Sequence, residues 1–151
     1  MYQILGQYTN ALDSYDRALL IDPNLATVWG YRGNTLHSMG KYEEAIASYD
    51  KAIELDPHLG VAWGYKAISL ASLGRYDDAL SAYDTALEVE PTLAIAAENK
   101  GDLLKQIGRY NEALAEYNRA LEINPSLASA AKKKGELFQS FGKYNEALQS
   151  Y

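Results

Sequence analysis

The stretch Gly40–Pro57, GKYEEAIASYDKAIELDP, is written again from Gly74 as GRYDDALSAYDTALEVEP and from Gly108 as GRYNEALAEYNRALEINP. The interval is 34 residues each time, and the rest of the chain keeps the same step. All four prolines obey it: Pro23, Pro57, Pro91 and Pro125. So do Gly6, Gly40, Gly74, Gly108 and Gly142; Tyr8, Tyr42, Tyr76, Tyr110 and Tyr144; Tyr15, Tyr49, Tyr83, Tyr117 and Tyr151. The alanines Ala11, Ala45, Ala79, Ala113 and Ala147 keep register, as do Ala18, Ala52, Ala86 and Ala120. A fixed period of this length marks a stacked architecture, in which one unit cannot bury its apolar face alone and each unit is the packing surface of the next.

Each period reads as two helices. Leu25, Val28, Trp29, Leu36 and Met39 recur near 3.6 residues, and Gly40 ends that run as a C-terminal glycine does. Tyr42, Ala45, Ile46, Tyr49, Ala52, Ile53 and Leu55 form a second stripe, with Glu43 and Glu44 in its first turn, where carboxylates complement the helix dipole. Asp56-Pro57 closes the unit, since proline lacks the donor a continuing helix needs. Asp56 and His58 are both candidates to cap the next helix. Gly33, Ala45 and Ala52 mark places where helices approach closely, and ten of the 13 tyrosines fall on two columns expected to pack the core.

Composition excludes several classes. With 151 residues the chain can bury about two thirds of its unfolded surface. It holds no Cys, hence no disulfide framework or thiolate metal site. A formal net charge of −6 argues against a nucleic-acid surface, and no apolar run is long enough for a membrane helix. The start, MYQILGQYTNALDSY, lacks the basic and apolar regions of a signal peptide, and a cytoplasmic location is the expectation. His37 and His58, the only histidines, have no nucleophile at a meaningful spacing and read as surface polar residues. No phosphate-binding, dinucleotide or zinc-protease motif is present, so neither a catalytic residue nor a cofactor or metal is expected.

A 34-residue helix–turn–helix with these columns resembles the tetratricopeptide repeat family. Counting from the third residue after each proline, the family expects an aromatic at position 4, Gly or Ala at 8, Gly at 15, Tyr at 17, Ala at 20, an aromatic at 24, Ala at 27 and Pro at 32. The chain has Trp29 and Trp63 at position 4, and Gly33, Ala67, Gly101 and Gly135 at position 8. The ladders above supply the rest. Position 4 departs to Ala97 and Ala131, and position 7, usually Leu, is basic throughout: Arg32, Lys66, Lys100 and Lys134. Either their stems pack while the heads reach water, or they form a charge ladder for a ligand.

The resemblance implies an all-α fold: a right-handed α-α superhelix, or solenoid, of antiparallel helix pairs in 34-residue repeats. The expected organisation is one array, with full repeats at 26–59, 60–93 and 94–127 and partial repeats at 1–25 and 128–151. The ends fall within helices and carry no polar cap, which suggests a piece of a longer array whose ends stack or fray. The resemblance further implies a protein–protein interaction scaffold, not an enzyme, that holds a peptide segment of a partner in its concave groove. First-helix positions 2, 5, 9 and 12 share one face, which lines that groove in the family. The residues this selects, with their position-6 neighbours, include Thr27, Tyr31, Asn34, His37, Tyr65 and Ile68, then Glu98, Asn99, Asp102, Lys105, Lys132, Lys133 and Glu136. Gly30 and Gly64 also lie on it, and a ligand or neighbouring helix approaching closely beside Tyr31 and Tyr65 would account for them.

Chaperone-binding members use a clamp of Lys and Asn, with further basic residues, to hold a C-terminal carboxylate. Asn34 matches one of its positions, but Gly30, Tyr65 and Ile95 break it, so such a tail is not the expected ligand. Two other roles fit the repeat: a substrate-recruiting region of a larger enzyme, and an architectural array that self-associates end to end.

Overall fold

The structure, a computed structural model, describes residues 2–149, without the side chains of Tyr2, Gln3, Tyr144, Glu146, Ala147 and Leu148. The expectations placed on the Tyr144, Ala147 and Tyr151 side chains lie outside what is described. The described residues form eight α-helices and no strand.

They divide into two compact units. Unit 1, Met1–Pro91, holds α1 (Tyr2–Ile21), α2 (Ala26–Ser38), α3 (Tyr42–Leu55), α4 (Gly60–Ser72) and α5 (Tyr76–Val89). Here α2 pairs with α3 and α4 with α5, while α1 packs on α2 and α3 on α4, so successive helices stack in chain order. Unit 2, Thr92–Tyr151, holds α6 (Ala94–Gln106), α7 (Tyr110–Ile123) and α8 (Ala128–Gln149), with α6 on α7 and α7 on α8.

The interior turns follow from single glycines. Gly40, Gly74 and Gly108 adopt φ of 76°, 77° and 81°, a region other residues rarely enter. At the first, the Gly40 N–H donates to the His37 carbonyl at 2.9 Å and the Lys41 N–H to the Leu36 carbonyl at 2.9 Å, the bond pair of a Schellman motif. The same bonds recur at Gly74 and Gly108. At Gly6 and Gly142 the structure differs from expectation: both lie inside the uninterrupted helices α1 and α8. A helical glycine costs only about 1 kcal/mol against alanine. A reversal is therefore held by the interhelical packing it permits more than by the glycine itself.

The other helix ends also correct the sequence reading. Neither Asp56 nor His58 caps α4, whose N-cap is Leu59 without a side-chain bond. Asp56 Oδ1 instead accepts from the His58 N–H at 3.1 Å, shaping the turn before the helix. The indole N–H groups of Trp29 and Trp63 donate to the carbonyls of Pro23 and Pro57 at 3.0 and 3.3 Å, tying each first helix to its preceding turn.

The columns meet as their sizes require. Ala45, Ala52, Ala79, Ala86, Ala113 and Ala120 are wholly buried at helix crossings, and Tyr49, Tyr83 and Tyr117 fill the space between. A Cβ on Gly33 would lie 2.5 Å from the Tyr49 ring, and one on Gly101 2.7 Å from the Tyr117 ring. The first of the two tyrosine columns is less uniform: Tyr42 and Tyr76 are half-buried, whereas Tyr110 is exposed.

Three of the four position-7 cations neither hang in solvent nor form a free ladder. Arg32 Nε donates to Asp16 at 2.8 Å and its Nη1 to the Ser48 hydroxyl at 2.7 Å; Lys66 pairs with Asp50 at 2.6 Å; Lys100 pairs with Glu116 at 2.7 Å. Arg32 and Lys66 also lie over the Trp29 and Trp63 rings, 5.8 and 5.1 Å from their centroids. These heads are satisfied between first and second helices.

Candidate functional site

The first-helix face carries a cavity in each unit, at different repeat positions that share only position 9, Asn34 in unit 1 and Asp102 in unit 2. In unit 1 a cavity of about 200 Å³ is lined by Thr27, Gly30, Tyr31, Asn34, Tyr49, Leu59, Val61, Ala62 and Tyr65. Its walls are positioned by the column aromatics: Tyr31 stacks on Tyr15 and Tyr65 on Tyr49, each with ring centroids 6.2 Å apart. Both outer rings remain exposed, at 56% for Tyr31 and 41% for Tyr65, so they present a face rather than sit in the core. Asn34 is already engaged, its Oδ1 accepting from the Tyr49 hydroxyl at 2.7 Å. Burial pushes that hydroxyl well above the usual phenol range and keeps it a donor.

At the far end of this face, His37 Nδ1 and Ser69 Oγ are 2.9 Å apart, and the imidazole lies 5.0 Å from the Tyr42 ring. Burial lowers the His37 pKa, which favours the neutral imidazole. His37 is therefore a half-buried link between α2 and α4 rather than a surface polar residue. His58 is exposed, as expected.

In unit 2 the positions equivalent to Gly30, Asn34, Val61 and Tyr65 are Glu98, Asp102, Ser129 and Lys133. They close on one another. Glu98 is 2% exposed, accepting from the Ser129 hydroxyl at 2.9 Å and from Lys133 Nζ at 2.5 Å. Lys133 also donates to Asp102 Oδ2 at 2.6 Å, and Asp102 Oδ1 accepts from the Tyr117 hydroxyl at 2.8 Å. Burial alone would lower the Lys133 pKa, but the bonds to Asp102 and Glu98 outweigh it and raise it, so the ammonium is held charged. Three residues picked out as groove candidates, Glu98, Asp102 and Lys133, are thus bonded to each other.

Unit 2 opens elsewhere. A cavity of about 700 Å³ is lined by Asp102, Lys105, Gln106, Tyr110, Leu137, Ser140 and Phe141, with Phe141 edge-on to Tyr110 at 5.8 Å. Lys105 and Leu137 occupy the positions that His37 and Ser69 bridge in unit 1. Of the remaining candidates, Thr27, Lys132 and Glu136 are exposed, with Lys132 3.7 Å from Glu136, and Ile68 and Asn99 are half-buried. Tyr49, Leu137 and Phe141 were not among the candidates, whereas Val61 lies on the position-2 column of the face that selected Thr27.

Among the described residues, no group of three or more His, Cys, Asp or Glu side chains could hold a metal ion, and no helix is long and apolar enough to cross a membrane. The carboxylates of the second-helix first turns are exposed, and one of each pair is bound locally, Glu44 to Lys41 at 3.4 Å and Asp78 to Arg75 at 2.9 Å.

Solved structures share this fold. The crystal structure of MamA superposes with a TM-score of 0.80 at 22% identity, covering 97% of this chain and 86% of that one. The first TPR domain of the human RPAP3 protein, solved by NMR, gives 0.74 at 26% identity over 82% of this chain and 98% of that one. The first TPR of Spaghetti (RPAP3), bound to the HSP90 peptide SRMEEVD, gives 0.71 at 26% identity over 78% and 93%. No curated protein matches the sequence. Family models described as tetratricopeptide repeat match residues 26–59 and 66–128, and one described as TPR repeat matches residues 1–40. With the repeat columns, the helix pairs and these matches in agreement, the chain belongs to the tetratricopeptide repeat family.

Proposed function

We propose that the protein is a non-catalytic interaction scaffold whose first-helix face holds a peptide segment of a protein partner. The observation that carries this reading is the pair of exposed tyrosines, Tyr31 and Tyr65, held by stacking on Tyr15 and Tyr49 beside the 200 Å³ cavity. Ordering an aromatic at the surface without burying it is useful when a partner completes the burial, because the entropic cost of fixing the rings is already met before binding. The peptide bound to the first TPR of Spaghetti supports a peptide as the occupant class. Its identity does not carry over, since Gly30 and Tyr65 stand where a carboxylate clamp would need polar or basic side chains. The repeats at 26–59, 60–93 and 94–127 serve in this reading as successive members of one array.

Selection of a displayed library of random 12-residue peptides on the immobilised full chain tests the proposal. Selected peptides should bind the Tyr31→Ala/Tyr65→Ala/Asp102→Ala variant at least tenfold more weakly. Undiminished binding by that variant, with its helical content intact, removes the face from consideration.

A further inference from the structure

Gly30 and Gly64 stand in the middle of α2 and α4, where glycine weakens a helix relative to alanine. Gly33, one turn on, is required by the Tyr49 ring. Gly30 and Gly64 have no such reason within the protein: a Cβ on either would meet no atom within 4 Å. Close approach of a neighbouring helix is therefore excluded as their explanation. The space above Gly30 is the 200 Å³ cavity between the Tyr31 and Tyr65 rings.

Unit 2 shows what a side chain at this point experiences. Glu98, at the position of Gly30, is 2% exposed, so a group placed here is buried when the side chains at positions 2 and 6 of the next repeat close over it. Its carboxylate is tolerated because Ser129 and Lys133 donate to it. Unit 1 has Val61 and Tyr65 in place of those two donors, and no charged residue lines the cavity. A carboxylate or ammonium entering it would lose hydration and gain no countercharge. An uncharged apolar side chain meets ring faces, aliphatic carbons and the Gly30 backbone, with the neutral Thr27 and Asn34 as the polar residues of the lining. The electrostatic pattern and the volume select the same occupant.

We propose that the Gly30 slot is an anchor pocket for one uncharged aromatic or large aliphatic side chain of a partner polypeptide, seated on the Gly30 backbone between Tyr31 and Tyr65. This rests on the reading of the first-helix face as the peptide-binding face. Buried anchors of this kind concentrate binding energy in a few contacts.

The test is a titration of the ¹⁵N-labelled full chain with four small probes: indole and p-cresol, which are neutral, and benzoate and butylammonium, which are charged. The neutral aromatics should give saturable shifts at the Gly30, Tyr31 and Tyr65 amides, and the charged probes should not. Gly30→Leu fills the slot from its floor and should weaken indole at least tenfold without lowering the thermal midpoint. Val61→Glu adds a wall carboxylate at an exposed position and should weaken indole likewise, which keeps the test decisive if Gly30→Leu folds poorly. Equal response to benzoate, silence at those three amides, or unchanged indole binding in both variants overturns the proposal. Library peptides that bind on unit 2's face and leave Gly30 unshifted overturn the slot while leaving the peptide-binding reading standing. Peptides undiminished by the triple alanine variant overturn both.

Discussion

Unit 1 and unit 2 carry one backbone plan, yet their first-helix faces differ. At positions 5 and 9 of one repeat and 2 and 6 of the next, unit 1 has Gly30, Asn34, Val61 and Tyr65, which leave a cavity; unit 2 has Glu98, Asp102, Ser129 and Lys133, which bond to each other and close it. Toward the helix C-termini the pattern reverses: His37 and Ser69 close unit 1, while Lys105 and Leu137 border an opening in unit 2. The scaffold is conserved in the columns that touch the next helix, and the spare face is free to be open or shut. One tyrosine column shows the division of labour. Tyr49 and Tyr117 bury their rings over glycine identically and give their hydroxyls to Asn34 and Asp102, but Asp102 has a second oxygen that recruits Lys133.

The largest test of this contrast is to break the closed slot. Lys133→Met leaves Glu98 buried without its counterion, and removing one partner of a buried pair costs about 3–5 kcal/mol. Urea unfolding should report that loss, with much of it recovered in Glu98→Gln/Lys133→Met. A cost under about 1 kcal/mol would mean that the ion pair is not what holds the slot shut. Next comes a pair of glycine substitutions three residues apart and opposite in sign. Gly33→Val drives carbon into the Tyr49 ring and should destabilise by about 1–3 kcal/mol through overpacking. Gly30→Ala meets open space and should stabilise by about 1 kcal/mol through helix propensity, read as a higher thermal midpoint. A destabilised Gly30→Ala would show that the position has a structural duty.

The smallest expected effect is a pH dependence. The His37 pKa is lowered in the fold, so below the ordinary imidazole value near 6.5 the unfolded chain binds the proton more readily. The contribution of neutral His37 is present above that value and fades as pH falls through the lower folded one. Stability measured from pH 7 down to pH 5 should decline less steeply in His37→Gln than in the natural sequence.

Much of the fold was legible because its causes are local and repeated. Gly40, Gly74 and Gly108 write the turns, the 3.6-residue stripes write the helices, and Gly33 against Tyr49 writes the crossing. The pairing of the position-7 cations was not read from the sequence, because the partner changes side: Asp16 and Asp50 lie 16 residues before Arg32 and Lys66, whereas Glu116 lies 16 after Lys100. Gly6 and Gly142 were misread because their signal is the same as at the true turns, while the helix–helix packing that bends the chain is not written in those residues.

The sequence by itself determined the class of fold, the repeat length and the columns that carry the core, since periodicity and side-chain volume recur every 34 residues. Only the tertiary structure decided which parts of the spare face are open. That depends on side chains 31 to 35 residues apart meeting across two helices, as Glu98 meets Ser129 and Lys133. A carboxylate placed one atom out of reach of its donors would be exposed and available, and no one-dimensional pattern records that distance.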